Sequence, residues 1–123
     1  MSERVATVLV VDDEPDILLL HRLNLEAAGH EVVLAADGVT ALEQIAESRP
    51  DCVVLDVMMP VLDGWGVLEQ LRETDAPPPV LVVSAKSSPQ DVAKAKELGA
   101  ADFLAKPFDS ERLLEKVAEL LAS

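Results

Sequence analysis

The sequence is poor in cysteine, in aromatic residues and in long apolar runs, and each shortage excludes a class of protein. Its single cysteine, Cys52, excludes an internal disulfide, and its place in an apolar run predicts an inert core residue. The aromatic residues are Trp65, Phe103 and Phe108, so the core must be aliphatic. No apolar run approaches membrane-spanning length, and no basic-then-apolar leader precedes Val5. We therefore expect a soluble, cytoplasmic protein without membrane contact.

Basic residues are also scarce, since 10 Lys and Arg against 23 Asp and Glu give a formal net charge of −13. Such a surface repels DNA, RNA and anionic lipid, so we expect no direct nucleic-acid binding by this domain. Carboxylate clusters favour hard divalent cations instead. A chain of 123 residues has the length of one ordinary domain, which we place at residues 1–123.

Five short apolar runs alternate with amphipathic stretches along the chain. The runs cover residues 5–11, 31–35, 52–55, 80–83 and 102–105. Near-continuous apolar runs of this length are typical of parallel strands that are buried on both faces. Five strand–helix units are too few for an eight-stranded barrel. The pattern therefore predicts an α/β fold with an open, doubly wound parallel sheet and helices on both faces.

Two of the predicted helices differ in their apolar content. The apolar residues of the first predicted helix include Ile17, Leu20, Leu23 and Leu25. The fourth helix, at residues 89–98, has few apolar residues, and we expect it to be among the least stable elements. We expect His21 and His30, on or after the first helix, to be solvated and away from the functional edge of the sheet.

Polar residues stand at the carboxyl ends of four predicted strands. Asp12 and Asp13 follow the first strand, Asp56 follows the third, Ser84 the fourth and Lys106 the fifth. Each residue alone could be a turn or helix-capping residue. In a doubly wound sheet, however, right-handed crossovers bring the carboxyl ends of all strands to one edge, where ligands bind. We therefore expect these side chains to converge.

The converging groups favour phosphoryl transfer onto a carboxylate. Three carboxylates would repel one another, and their pKa values would rise unless a cation joined them. Oxygen ligands without His or Cys select Mg²⁺, Mn²⁺ or Ca²⁺ over zinc. Lys106 adds an ammonium group and Ser84 a hydroxyl donor to the same place. An acidic nucleophile, a divalent ion, a lysine and a hydroxyl together suit this reaction class.

Four motifs give the chain a specific resemblance over nearly its whole length. They are Val-Val-Asp-Asp-Glu-Pro at 10–15, Leu-Asp-Val-Met-Met-Pro at 55–60 with Asp63-Gly64, Val-Ser-Ala-Lys at 83–86, and the stretch 99–108 ending in Lys-Pro-Phe. In this order and spacing the sequence resembles the receiver domain of two-component response regulators. The resemblance implies a flavodoxin-like sheet of five strands in the order 2-1-3-4-5 with five helices.

The resemblance also implies a role for each residue of the predicted site. Asp56 would be the phosphoacceptor. Asp13, Asp56 and the backbone carbonyl of Met58 would bind Mg²⁺, with Mn²⁺ as a possible substitute, and Asp12 would support the ion directly or through water. Lys106 would contact a phosphoryl oxygen, and its bond to the following proline is expected to be cis.

A conformational switch and its partners follow from the same resemblance. Ser84 would move toward the phosphoryl group, and Phe103 would turn into the space that it leaves. The family usually has tyrosine at position 103, so here the ring has no hydroxyl to bond. The phosphoryl donor would be a histidine kinase or a phosphotransfer protein. A homodimer could form through the fourth helix, fifth strand and fifth helix. No output domain is expected within residues 1–123, so the chain is either a stand-alone regulator or a receiver from a longer protein.

Three other functions use a similar fold or chemistry. A haloacid dehalogenase-type phosphatase also uses Asp, Mg²⁺ and Lys, but its Asp-x-Asp pattern after the first strand is matched poorly by Asp12-Asp13-Glu14. A flavin-binding module would need a phosphate loop rich in Ser, Thr and Gly after that strand, which the sequence lacks. A receiver-shaped interaction module that is never phosphorylated is the third alternative, and the intact set of acids argues against it.

Overall fold

The computed structural model describes residues 5–59 and 62–122, and five parallel strands form one sheet within them. The strands are β1 (Thr7–Val11), β2 (Glu31–Ala35), β3 (Cys52–Asp56), β4 (Val80–Ser84) and β5 (Asp102–Ala105). They lie in the order β2-β1-β3-β4-β5, which confirms the predicted topology. The first strand begins at Thr7, two residues later than the apolar run suggested.

Five helices connect and flank the strands. They are α1 (Pro15–Ala27), α2 (Gly38–Ser48), α3 (Gly64–Arg72), α4 (Pro89–Glu97) and α5 (Ser110–Ala122). Side-chain caps define several of their starts, because the first backbone N–H groups of a helix have no partner within it. Asp37 accepts from the Thr40 N–H at 2.8 Å, and Asp63 accepts from the Gly66 N–H at 3.0 Å. Ser88 and Asp91 form a capping box at α4.

The core consists of two aliphatic layers, one on each face of the sheet. Alternate strand residues point to opposite faces, so Val8 and Val10 pack with α1 and α5, whereas Leu9 and Val11 pack with α2, α3 and α4. Every residue of β3 is buried, as expected for the central strand of a doubly wound sheet. Among the described residues, no helix has both the length and the apolar content needed to cross a bilayer.

The buried face of α1 differs from the expected one. Leu18, His21 and Leu25 are buried, whereas Leu20 and Leu23 are 49% and 56% exposed. The expectation that His21 is solvated was wrong. Its spacing of three and four residues from Leu18 and Leu25 places it on the helix face that meets the sheet.

Helix α4 has few buried apolar residues, as predicted, since Ala95 is the one buried residue among its described positions. A capping box stabilises the start of the helix. The Lys94 ammonium lies 4.6 Å from the centroid of the Trp65 ring and adds a cation–π contact. Trp65 is partly buried and packs against the core.

Candidate functional site

The structure brings the three predicted acids together at the carboxyl edge of the sheet. Val11 pairs with Leu55 in the β1–β3 register, so Asp12 and Asp56, the next residues of each chain segment, lie side by side. Asp13 completes the group, and one carboxylate oxygen from each of the three residues lies within 4.8 Å of the others. Asp12 and Asp56 are 1% and 4% exposed, whereas Asp13 is open to solvent.

Lys106 joins this group from the end of β5. Its Nζ lies 3.3 Å from Asp12 Oδ2 and 3.5 Å from Asp56 Oδ2. Burial alone would lower the pKa of the Lys106 ammonium, but the attraction of Asp56 and Asp12 outweighs burial and raises it. Lys106 is therefore fully charged at neutral pH and is held over two buried carboxylates. The peptide bond from Lys106 to Pro107 is cis, as predicted.

The pKa of the Asp56 carboxyl is raised despite the nearby Lys106 ammonium. Burial and repulsion by Asp12 raise the pKa of its carboxyl, and the Met58 N–H and Lys106 reduce this rise without cancelling it. The Met58 N–H donates to Asp56 Oδ1 at 3.1 Å, and the Glu14 N–H donates to Asp12 Oδ1 at 3.0 Å. These bonds fix one oxygen of each buried carboxylate and leave the other facing Lys106.

The donor set fits a hard divalent cation. Three carboxylates face one ammonium, so the pocket has an excess of negative charge that a second cation would neutralise. All the side-chain ligands of this cluster are oxygens, which suits Mg²⁺ or Mn²⁺ and not zinc.

Ser84 and Phe103, the predicted switch residues, lie on neighbouring strands and on one face of the sheet. Ser84 pairs with Ala105, two residues after Phe103, so the two side chains point to the same side. Ser84 is fully buried, and its Oγ accepts from the Lys86 N–H at 2.9 Å. Phe103 is partly buried against the core layer of α2, α3 and α4.

The loop after β3 contacts Asp56 through the backbone of Met58. The Met58 side chain is 53% exposed, and its backbone N–H contacts Asp56. Coordination of a metal by the Met58 carbonyl stays a prediction. Pro60, part of the motif after Asp56, lies outside the described residues.

Two residues near the site were not assigned a role from the sequence. A Cβ atom on Gly64 would come within 2.5 Å of Val57 Cα and 2.7 Å of the Asp56 carbonyl oxygen, so only glycine fits there. The Asp63-Gly64 pair was visible in the motif, but this close approach was not. The second residue is His21. Its buried ring lies beside Phe108, which is two residues after Lys106 in the chain.

The match to a protein family accounts for this arrangement. The family of the response regulator receiver domain matches residues 8–118, which is most of the chain. The chain belongs to this family. Receiver domains bind Mg²⁺ at an acidic pocket, and this chain has a cluster of three aspartates at the carboxyl edge of its sheet. They are signalling components of two-component phosphorelays rather than turnover enzymes, which argues against the phosphatase alternative.

The chain is also similar in sequence to individual curated proteins. The chain is 47% identical over 114 residues to the transcriptional regulatory protein PrrA of Mycobacterium tuberculosis, covering 93% of this chain and 49% of PrrA. It is 42% identical over 114 residues to the alkaline phosphatase synthesis transcriptional regulatory protein PhoP of Bacillus subtilis, covering 93% and 48%. The chain therefore spans about half the length of these curated relatives.

Solved structures show the same architecture. The receiver domain of a Francisella response regulator has a TM-score of 0.91 at 34% identity, with coverage of 95% of this chain and 97% of that one. A chemotaxis response regulator of Vibrio cholerae has a TM-score of 0.88 at 35% identity, with coverage of 96% and 100%. Both likenesses support the flavodoxin-like receiver fold.

Proposed function

We propose that this chain is the phosphoacceptor of a two-component phosphorelay and that Asp56 receives the phosphoryl group. The observation that supports this most strongly is the placement of the Lys106 ammonium against Asp12 and Asp56 beside the exposed Asp13. A structural ion pair would need one acid for one lysine. The additional carboxylates are explained by a cation that also meets the incoming phosphoryl group.

The transfer uses one carboxylate oxygen of Asp56 as the nucleophile. Its Oδ1 is held by the Met58 N–H, and its Oδ2 faces Lys106. An oxygen of Asp56 forms a bond to phosphorus while the bond from phosphorus to the donor breaks. With a histidine kinase or phosphotransfer protein as donor, the imidazole nitrogen keeps the electron pair of the broken bond. Lys106 would then contact a phosphoryl oxygen, and its positive charge would neutralise part of the negative charge that the phosphoryl group brings.

The divalent cation belongs to the same pocket. Asp13, Asp56 and the carbonyl of Met58 would hold Mg²⁺ or Mn²⁺, with Asp12 bound to it directly or through water. When bound, the ion supplies charge neutralisation to the phosphoryl oxygens. Asp12, which is buried and hydrogen-bonded to the Glu14 N–H, keeps its carboxylate oriented toward that position.

Phosphorylation is coupled to the surface through Ser84 and Phe103. The Ser84 hydroxyl accepts from the Lys86 N–H. A phosphoryl group on Asp56 would attract this hydroxyl as a donor, and Phe103 would turn into the volume that the hydroxyl leaves. This shift favours one conformer of α4 and β5, which is the basis of the proposed homodimer through α4, β5 and α5.

Helix α1 has an exposed apolar surface beside the pocket, on which the donor protein could dock. Leu19, Leu20 and Leu23 are 54%, 49% and 56% exposed on α1, which begins directly after the acidic residues of the β1 end. Exposed leucines in a group favour a protein contact over free solvation. We propose that the kinase or phosphotransfer protein docks on this face of α1, so that its phosphohistidine meets Asp56.

Intact-mass measurement after incubation with acetyl phosphate and Mg²⁺ tests the proposal. The wild-type chain should gain one phosphoryl group, and chelation of the metal should prevent the gain. Asp56→Asn should gain none, whereas Asp63→Asn, an exposed acid that caps α3, should be phosphorylated normally. An unchanged mass of the wild-type protein would overturn the proposal.

A further inference from the structure

Burial of the histidine of α1 costs free energy of folding, and packing alone does not explain why a histidine is there. His21 is 6% exposed, and neither Nδ1 nor Nε2 has a hydrogen-bond partner among the described residues. A neutral imidazole always has one N–H donor, and leaving that donor unpaired in the core is unfavourable. A leucine would fill a similar volume without this cost. The stability of the fold therefore does not favour histidine at this position.

The flat ring of His21 makes a contact that a leucine could not make. It stacks on the ring of Phe108, with centroids 5.7 Å apart and planes inclined by 20°. Phe108 also packs against the core layer of α1 and α5. Only Pro107 separates Phe108 from Lys106, and the proline ring fixes the backbone φ between them. The position of Phe108 thus constrains the backbone from which Lys106 extends.

A second contact holds the same segment to α1. Asn24, three residues after His21, donates from Nδ2 to Ser110 Oγ at 2.8 Å. Ser110 is the first residue of α5, and Asp109 before it accepts from the Arg112 N–H at 2.9 Å. Helix α1 therefore contacts the chain on the carboxyl side of Lys106 at two successive points.

We propose that His21 is a positioning residue for phosphoryl binding, because its ring, acting through Phe108, holds the Lys106 ammonium over the carboxylates of Asp12 and Asp56. Lysine has a long flexible stem, so the position of its backbone sets how much rotamer freedom is lost when Nζ is held at one place. The Nζ atom lies 3.3 and 3.5 Å from its two carboxylate partners, and a shift of the segment would lengthen both distances.

The inference rests on the proposed function and makes a selective prediction. The proposed Mg²⁺ ligands come from the ends of β1 and β3, which do not depend on the segment after β5. Phosphoryl binding, in contrast, depends on Lys106. Loss of the His21 ring should therefore weaken phosphoryl binding without weakening Mg²⁺ binding, a separation that general loosening of the fold would not produce.

The test measures two affinities on the same chain: that of Mg²⁺, and that of beryllofluoride at saturating Mg²⁺ as a mimic of the bound phosphoryl group. In His21→Leu we expect beryllofluoride affinity to fall on the order of 10-fold, as when an outer support of a ligand is removed. Mg²⁺ affinity should not fall, because its ligands at the ends of β1 and β3 keep their places and the Lys106 ammonium competes with the ion for the same carboxylates. His21→Phe, which keeps a flat ring on Phe108, should restore beryllofluoride affinity.

Two further variants keep the test decisive. Leu25→Ala removes a buried side chain one turn further along the same helix face, and it should lower the melting temperature without changing beryllofluoride affinity of the folded protein. Phe108→Leu removes the other half of the stack and should weaken beryllofluoride binding as much as His21→Leu does. It also replaces His21→Leu in the test if that variant does not fold.

The proposal is overturned by any of three results. These are normal beryllofluoride affinity in His21→Leu, failure of His21→Phe to restore it, and equal weakening in Leu25→Ala. Failure of the proposed function is a different result, because the wild-type chain itself would then bind no beryllofluoride in the presence of Mg²⁺.

Discussion

Lys106 and Asp56 are 50 positions apart in the chain, yet Nζ of Lys106 lies 3.5 Å from Oδ2 of Asp56. The strand order explains this contact. β5 is separated from β3 by β4 alone, and all three strands end at the same edge of the sheet. The lysine reaches across the end of β4, where the buried Ser84 lies, to the acids at the ends of β3 and β1. One ammonium is thereby shared by two buried carboxylates.

Removal of this ammonium should separate metal binding from signalling. In Lys106→Ala, two buried carboxylates lose their cation, and we expect the free energy of unfolding without metal to fall by about 1–3 kcal/mol. Mg²⁺ should still bind and should raise the melting temperature more than in wild type. The response of partner binding to beryllofluoride should be lost. Calorimetric titration and thermal melts with and without Mg²⁺ check these outcomes.

Lys86→Ala is the matched control for that variant. The Lys86 side chain is exposed, and its contact with Ser84 is made by the backbone N–H, which the substitution keeps. It should melt as the wild type does. Equal stability of Lys106→Ala and wild type in metal-free buffer would show that the ion pairs of Lys106 are not needed to compensate the acids.

The close approach of Gly64 to the strand that ends in Asp56 predicts a strong local effect. In Gly64→Ala the new methyl group would collide with backbone atoms of Val57 and Asp56, which cannot move aside as a side chain can. We expect a loss of about 2 kcal/mol or more of unfolding free energy and slower phosphorylation by acetyl phosphate. Denaturant melts and intact-mass time courses measure both.

Gly66→Ala serves as the comparison in the same helix. There the nearest atom to a new Cβ is the end of the flexible Leu62 side chain, which can change rotamer. Alanine also favours the helix more than glycine does. This variant should retain stability and phosphorylation, and a loss as large as that in Gly64→Ala would contradict the role given to backbone contact at Asp56.

The burial of His21 predicts a loss of stability in mild acid. Burial lowers the pKa of His21 from its ordinary 6.5, the nearby Asp12 opposes this shift, and Lys106 adds to it. The unfolded chain therefore binds a proton more readily than the folded chain. His21 is neutral in both states well above pH 6.5, so its penalty begins near that pH and grows as the pH falls toward the lower folded value.

Denaturant melts between pH 7.5 and pH 5.5 measure this effect. The free energy of unfolding of the wild type should fall relative to His21→Leu, by at most about 1.4 kcal/mol per pH unit below the unfolded pKa. Parallel pH profiles of wild type and His21→Leu would show that His21 accepts a proton equally well in both states.

The switch surface predicts association on phosphoryl binding. With Mg²⁺ and beryllofluoride, we expect sedimentation velocity to show a larger dimer fraction, since the Phe103 shift favours the face formed by α4, β5 and α5. Phe103→Ala should uncouple dimer formation from beryllofluoride without preventing its binding. Leu23→Ala, on the exposed face of α1, should dimerise as the wild type does. An unchanged sedimentation profile in the wild type would contradict dimerisation through this face.

The strands and the pocket could be predicted from the sequence because a parallel sheet imposes strong patterns. Each buried strand requires a continuous apolar run, and four of the five runs here are followed by a polar residue that the sheet brings to one edge. The place of Asp12, Asp56 and Lys106 follows from topology, and no side-chain detail is needed. The strand start at Thr7 differs by two residues from the prediction, because an apolar run can extend beyond its hydrogen-bonded part. β3 and β4 each extend one residue further than predicted, to Asp56 and Ser84.

The buried face of α1 could not be predicted in the same way. Residues 17–20 are all apolar, so they surround the helix and periodicity does not select one face. The polar class of His21 then favoured solvent, although only the packing of α1 against α5 decides its environment. The approach of Gly64 to Val57 likewise depends on the path of the loop after β3, which no spacing in the sequence specifies.

Site mapping of the phosphoryl group tests whether Asp56 is the nucleophile. Borohydride reduces an acyl phosphate to an alcohol and so leaves a stable mass change on the residue that was phosphorylated. After treatment with acetyl phosphate and Mg²⁺, then borohydride, peptide mass spectrometry should find the change at Asp56 and at no other acid of the pocket. Modification of Asp12 or Asp13 instead, in a protein shown to be phosphorylated, would contradict the assignment of Asp56.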